Sequence, residues 1–180
     1  MGEFKKWDKD RLEVLWRERQ DGGEEVATYD TFNYMELKQA GAQSLPSASN
    51  GTTFDIEWDY QDHIDEDTFT HSDSVDPEQV VVEAAGRYEI KATVSVQQGG
   101  GARTTFMLYP VVGGVEDRSG VSRNYSRGSN YGDTSMTLVT EVEADEDDVI
   151  MLRIRVDDSD GTYTHSTIAA ECEWIMRKIG

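Results

Sequence analysis

Residues 80–96, VVVEAAGRYEIKATVSV, alternate in a way that few folds can use. From Tyr88 on, one face reads Tyr88, Ile90, Ala92, Val94 and Val96, and the other Arg87, Glu89, Lys91, Thr93 and Ser95. Successive side chains of a strand point to opposite faces, so this run is a strand buried on one side. Ile150, Leu152, Ile154 and Val156 repeat the pattern against Met151, Arg153 and Arg155, as do Ala170, Cys172, Trp174 and Met176 near the end. Strands are expected at 53–58, 67–71, 79–84, 87–96, 103–112, 135–143, 148–157 and 167–179. Short strands separated by turn signals mean an all-β sandwich or barrel. Gly86 marks a corner where a positive φ costs little. Gln98-Gly99-Gly100-Gly101 reads as a hairpin loop, and Asp160-Gly161 as a hairpin tip.

The start of the chain follows a different period. In FKKWDKDRLEVLWRERQ (4–20), Phe4, Trp7, Leu12, Val14, Leu15 and Trp16 fall on one arc of a helical wheel. Lys6, Lys9, Asp10, Glu13, Arg17 and Gln20 fill the other, and Asp21-Gly22-Gly23 stops the helix. Phe4, Trp7, Leu12, Leu15 and Trp16 need a partner surface and are the candidate anchor. Residues 24–50 read as a short ambiguous segment and a turn-rich linker. Two parts are therefore expected: 1–50, a helix and linker for anchoring or assembly, and 51–180, a β head.

Charge narrows the partners. The 180 residues hold 36 acidic and 17 basic groups, a formal net charge of -19. Residues 1–20 carry six basic and five acidic groups, so the excess of acid lies in the rest. Phosphate binding needs a basic face, so no nucleic acid is expected as partner. Self-repulsion at this charge is screened within a few ångströms at molar salt, which points to a halophilic source. The first twenty residues show no secretory signal, and no run is apolar enough for membrane insertion. The lone Cys172 sits among Ala170, Trp174 and Met176 and is expected as a small core residue.

Four stretches carry a resemblance. Phe54-Asp55, VVVEAAGRY (80–88) with its Gly-x-Tyr corner, DEDDVIMLRIRV (145–156) and ECEWIMRKI (171–179) resemble the C1q/TNF-like jelly-roll heads, in particular those of tailed-virus structural proteins. The resemblance covers about residues 52–180. It implies an all-β jelly-roll sandwich, here with an N-terminal helical segment, and a homotrimer. One departure is the turn before the 148–157 strand: that superfamily has Gly-Asp, and this chain has Asp147-Asp148.

Chemistry is sparse. His63, His71 and His165 sit in no nucleophile or zinc motif. His63 and His71 lie in the acidic stretch DYQDHIDEDTFTHSD, read as a solvated loop. VDDSDGTY (156–163) fails as a calcium loop because Val156 stands where the first oxygen ligand belongs. No paired carboxylates stand out for glycan hydrolysis. No enzyme activity, cofactor or metal is expected. Residues 119–135, SGVSRNYSRGSNYGDTS, read as a long loop rich in Ser, Gly, Asn, Tyr and Arg. Contact loops favour that mixture, because Tyr gives rigid area and the small polar residues adapt. Arg123, Asn124, Tyr125, Arg127, Asn130 and Tyr131 are its candidate contact residues. The expected function is a virion structural protein: a trimeric head on the virion surface, as capsid decoration or short spike, docked on capsid or other virion proteins through its N-terminal segment. The alternative is a receptor- or glycan-binding head of a tail fibre.

Overall fold

The computed structural model describes residues 33–99, 103–127, 132–159 and 161–180. The strands in chain order are β1 (Tyr34–Lys38), β2 (Ser44–Ala48), β3 (Thr53–Asp55), β4 (Tyr60–Ile64), β5 (Phe69–His71), β6 (Val80–Val82) and β7 (Gly86–Gly99). They continue with β8 (Arg103–Val112), β9 (Val115–Glu116), β10 (Ser122–Arg127), β11 (Gly132–Ala144), β12 (Val149–Ser159), β13 (Tyr163–Thr167) and β14 (Glu173–Lys178). A 3-10 turn at Ala169–Glu171 separates the last two. The first seven-stranded sheet runs β2-β13-β7-β14-β1-β4, with β11 on the other edge of β7. The second runs β10-β8-β12-β6-β5, with β3 also on β12 and β9 also on β8.

The described residues form the expected all-β jelly roll. The helical segment, with Phe4, Trp7, Leu12, Leu15 and Trp16, lies outside them. The strand expected at 103–112 is β8 as read. The stretch 87–96 grows into the 14-residue β7. The expected 167–179 strand is instead the end of β13, the 3-10 turn and β14.

Three readings are corrected. The ambiguous segment holds β1 and the supposed linker β2, and β1 pairs with both β14 and β4. The sheet thus reaches back to Tyr34, where Met35 and Leu37 are fully buried. The acidic stretch is not a loop: it contains β4, which was not expected, and β5, which falls within the strand expected at 67–71. Gln98–Gly101 and Asp160-Gly161 are not hairpins either. The first joins β7 to β8 and the second β12 to β13, in each case passing from one sheet to the other. Glycine and aspartate mark where a chain reverses, and partner choice is settled by burial elsewhere.

The inward faces meet in one core that includes Trp58, Phe69, Tyr88, Ile90, Phe106, Ile150, Leu152, Ile154 and Trp174. At one end Trp58 and Trp174 lie 5.7 Å apart between ring centroids, and Phe69 meets Tyr88 edge-on at 5.8 Å. Each such side chain, fully buried, stabilises the fold by about 1.5–3 kcal/mol. The Tyr88 hydroxyl donates to the Ala84 carbonyl, pinning the corner before β7. This is the tyrosine-corner device of Greek-key sandwiches. Gly86 has φ +158, close to extended; a Cβ there would overlap the Gly180 carbonyl oxygen, so close approach demands the glycine more than torsion does. Cys172 is buried as expected, and burial pushes its thiol pKa up. Asp147 adopts φ +69, the left-handed conformation glycine takes most cheaply. The sequence departure at this turn is thus met by an aspartate in a glycine's conformation. Asp148 holds the turn closed by accepting from the Asp145 amide at 2.9 Å.

Candidate functional site

The candidate contact residues do not form a long loop. Serine, asparagine and tyrosine support an edge strand as readily as a loop, and 122–127 pair in full with β8: Arg123 with Met107, Asn124 with Phe106, Tyr125 with Thr105, Arg127 with Arg103. Residues 132–135 open β11. Asn130 and Tyr131 lie outside the described residues. The strand is fastened sideways as well. Asn124 Nδ2 donates to the Ser135 carbonyl at 2.6 Å, and Ser126 Oγ to the Gly132 carbonyl at 2.9 Å. Gly120 lies against Thr140 so closely that a Cβ would overlap that side chain. Polar side chains of β10 thus cover the edge of β11, and the two sheets close on each other there.

What β10 leaves outward is Arg123 and Tyr125. Tyr125 is 40 % exposed. Alternation places them on the outer face of the second sheet with Arg103, Met107, Tyr109 and Val111 of β8 and Met151, Arg153, Arg155 and Asp157 of β12. This face has an apolar centre: Met107, Tyr109 and Val111 are buried, with Met151 packed beside them. Sequence reasoning missed it, although the unbroken run FMLYPVV in β8 signals a strand buried on both faces.

Over that centre lies an ionic network. Arg153 grips Asp55 with two bonds, Nε to Oδ1 at 2.6 Å and Nη2 to Oδ2 at 3.0 Å. Its Nη1 lies 3.5 Å from Glu116 Oε1, which also accepts from the Tyr109 hydroxyl at 3.0 Å. Arg118 pairs with Glu116 Oε2 at 2.5 Å and sits over the Tyr109 ring, 5.3 Å from its centroid. Arg118, first among its neighbours, pulls the Glu116 carboxyl below the usual range, and Asp55 raises the Arg153 guanidinium. Burial raises the Tyr109 phenol. Glu116 is held ionised by its arginine, which suits a structural tie and gives no proton donor.

The outer face of the first sheet is different. Most of its cations are matched, Lys38 with Glu36, Asp62 and Glu173, Arg87 with Glu141, and Arg177 with Glu89, while Lys91, opposite Val139, has no ion pair among the described residues. The hydrogen bond to Asp62 leads in raising the Lys38 ammonium above its ordinary range. Val139 stands out on this face, 64 % exposed.

The histidines fall in three separate places. His63, on β4, stacks on Tyr34 at 4.1 Å between ring centroids. His71, on β5, has Nδ1 2.9 Å from the Gln79 carbonyl and Nε2 2.9 Å from that of Trp58. His165, on β13, is 3 % exposed with its ring edge-on to Phe106 at 5.1 Å. Neither His165 nitrogen has a hydrogen-bond partner, and burial lowers its pKa. Among the described residues no group of three or more His, Cys, Asp or Glu side chains could hold a metal ion.

No protein-family model matches the sequence. No curated protein matches it as a relative either. Solved structures do resemble it in fold. The Eiger TNF of S. frugiperda has a TM-score of 0.54 at 12 % identity, over 83 % of this chain and 93 % of that one. Murine APRIL at pH 5.0 has a TM-score of 0.57 at 11 % identity, over 83 % of this chain and all of that one (100 %). The chain therefore has a jelly roll of the C1q/TNF-like kind.

Proposed function

We propose that this chain is a non-enzymatic head that acts by assembly and contact: a homotrimer carried on the outside of a virus particle, as capsid decoration or short spike, and docked on virion proteins through the segment that precedes Tyr34. The observation that carries the reading is the fold itself, whose two outer faces are finished so differently. One carries mostly paired charges, with Val139 and Lys91 exposed among them. The other displays arginines above a buried apolar centre. The first suits packing against identical copies, where matched charges leave little to desolvate unpaired. The second suits a foreign partner. The tailed-virus placement rests on the sequence resemblance and on the two tryptophans of the N-terminal segment; the fold comparisons speak to the jelly roll alone.

Light scattering on the full chain at high salt tests the assembly. A mass three times that of the chain is expected, reduced by Val139→Lys. A monomer at all concentrations overturns the trimer. Trp7→Ala with Trp16→Ala should leave the trimer mass unchanged if that segment is an anchor; collapse to monomer makes it an oligomerisation device instead. The halophilic reading predicts a melting temperature that climbs steeply from low to molar salt, as screening relieves the charge of -19. A flat response removes it.

A further inference from the structure

We propose that the outer face of the second sheet, centred on Arg103, Arg123 and Arg155, binds a linear acidic polysaccharide. The inference refines the contact-surface reading above and rests on it, but not on the trimer or the particle.

The argument begins with charge. On a chain of net -19 this face gathers Arg103, Arg123, Arg153 and Arg155, with Arg118 beside them, against Asp55, Glu116 and Asp157, and the register sets Asp158 opposite Thr105. Asp55 and Glu116 are already engaged by Arg153 and Arg118. Asp157 reaches Arg123 only at 3.7 Å, and the Arg123 side chain is 58 % exposed. Arg103 and Arg155 have no ion pair among the described residues. Arg155 Nε is buried with no hydrogen-bond partner. Lys91 on the other sheet also lacks an ion pair, but it stands alone, whereas Arg103 and Arg155 share one face with Arg123. Two guanidinium groups are thus without an ion pair among the described residues, and a third, Arg123, is loosely paired and exposed on the same sheet face.

They stand at the corners of a triangle. Arg123 and Arg155 are the cross-strand partners of Met107 from either side, so they stand two strands apart, about 10 Å. Arg103 lies four residues along β8 from Met107, about 13 Å, and Tyr125 lies between those levels opposite Thr105. Planar guanidinium groups take carboxylate or sulfate with two bonds each. Arg123 and Arg155 set a line across the strands, about 10 Å from charge to charge, which fits a thin chain that carries its own charge at intervals, and Arg103 stands to one side of that line.

Other anionic partners fit less well. A peptide adding itself as a strand needs an open strand edge. The β10 flank towards β11 is instead bridged by Asn124 and Ser126. Single-stranded nucleic acid relies on a series of exposed aromatic rings for stacking. Here Tyr125 is exposed while Tyr109 is buried. The sequence reading excluded nucleic acid on total charge; the folded chain does hold a local basic face, but without that platform.

The test is titration of the full chain with polygalacturonate and dextran sulfate at the lowest salt that keeps it folded, with neutral dextran, polyglutamate and poly-dT alongside. Binding to at least one acidic polysaccharide is expected. Arg103→Gln should weaken it about tenfold, Arg155→Gln similarly, and Lys91→Gln on the opposite face not at all. Arg103 is exposed, so its variant stays informative if Arg155→Gln fails to fold. Binding should weaken as salt rises. No binding, equal binding to neutral dextran, preference for polyglutamate or poly-dT, or an equal effect of Lys91→Gln each overturns the proposal. A trimer that binds no polysaccharide refutes this inference and leaves the assembly reading standing.

Discussion

The two ends of the sandwich interior are built from the same strands and filled by opposite chemistry. At the end where β7 begins, Tyr88 and Ile90 face Trp58, Phe69, Val80, Val82, Val142 and Trp174, an apolar set sealed by the tyrosine corner. At the end where β7 finishes, the inward positions are Gln98, Thr104, Ser126, Thr134, His165 and Thr167, all buried. Ser126 is satisfied by the Gly132 carbonyl, while both nitrogens of His165 have no bond. The comparison separates two duties. The apolar end supplies stability. The polar end stabilises less per side chain and sits beneath the strands that present Arg103, Arg123 and Tyr125.

The largest effect should come from breaking the apolar end. Trp174→Ala removes a fully buried indole beside Trp58 and should cost about 3–5 kcal/mol of unfolding free energy. Denaturant titration reads it. If His165→Leu costs as much, the contrast between the ends is wrong.

The polar end should show itself through pH. Burial holds the folded His165 pKa below the ordinary 6.5, and no charged group among its causes opposes that. Unfolded chains then bind the proton more readily than folded ones. The contribution is fully present above about pH 6.5 and is lost as pH falls towards the folded value. Denaturation of the wild type and of His165→Gln between pH 7.5 and 5.5 isolates it, since every other group is common to both. The wild type should lose more stability over that interval. Parallel losses would mean that the imidazole already reaches water.

The smallest effect belongs to the turn over the apolar end. Asp147→Gly relieves a left-handed aspartate but loosens the unfolded chain, so a net gain of about 0.5 kcal/mol is expected. The Asp147 amide still donates to the Val82 carbonyl at 2.9 Å in that variant. A loss above the error of the melt would show that the Asp147 side chain contributes more than its torsion costs.

Much of this was legible in advance. The inward residues of β7, β12 and β14 follow directly from period two, as does the burial of Cys172. The turn at Asp147-Asp148 was marked as the place where glycine was missing, and its torsion agrees. The site was read less well. Arg123 and Tyr125 were singled out as contact residues, yet as part of a loop, because serine- and asparagine-rich segments score as loops until a neighbour offers hydrogen bonds. β1 and β2 were hidden by their shortness and by the Gly41 and Pro46 signals around them.

The amino-acid order alone determined where strands lie, which of their faces are apolar, and where the chain turns, since these are local consequences of side-chain alternation and backbone freedom. It did not determine which strands pair. β7 takes β11, β13 and β14 as neighbours and passes over β8, the next strand in the chain. That choice belongs to the tertiary structure, because each sheet must bury its apolar face against the other and only one set of crossings does so for all strands together. The same crossings carry Arg103, Arg123 and Arg155, from three strands of one sheet, onto a single face. A total charge of -19 gives no hint of it, because total charge has no geometry.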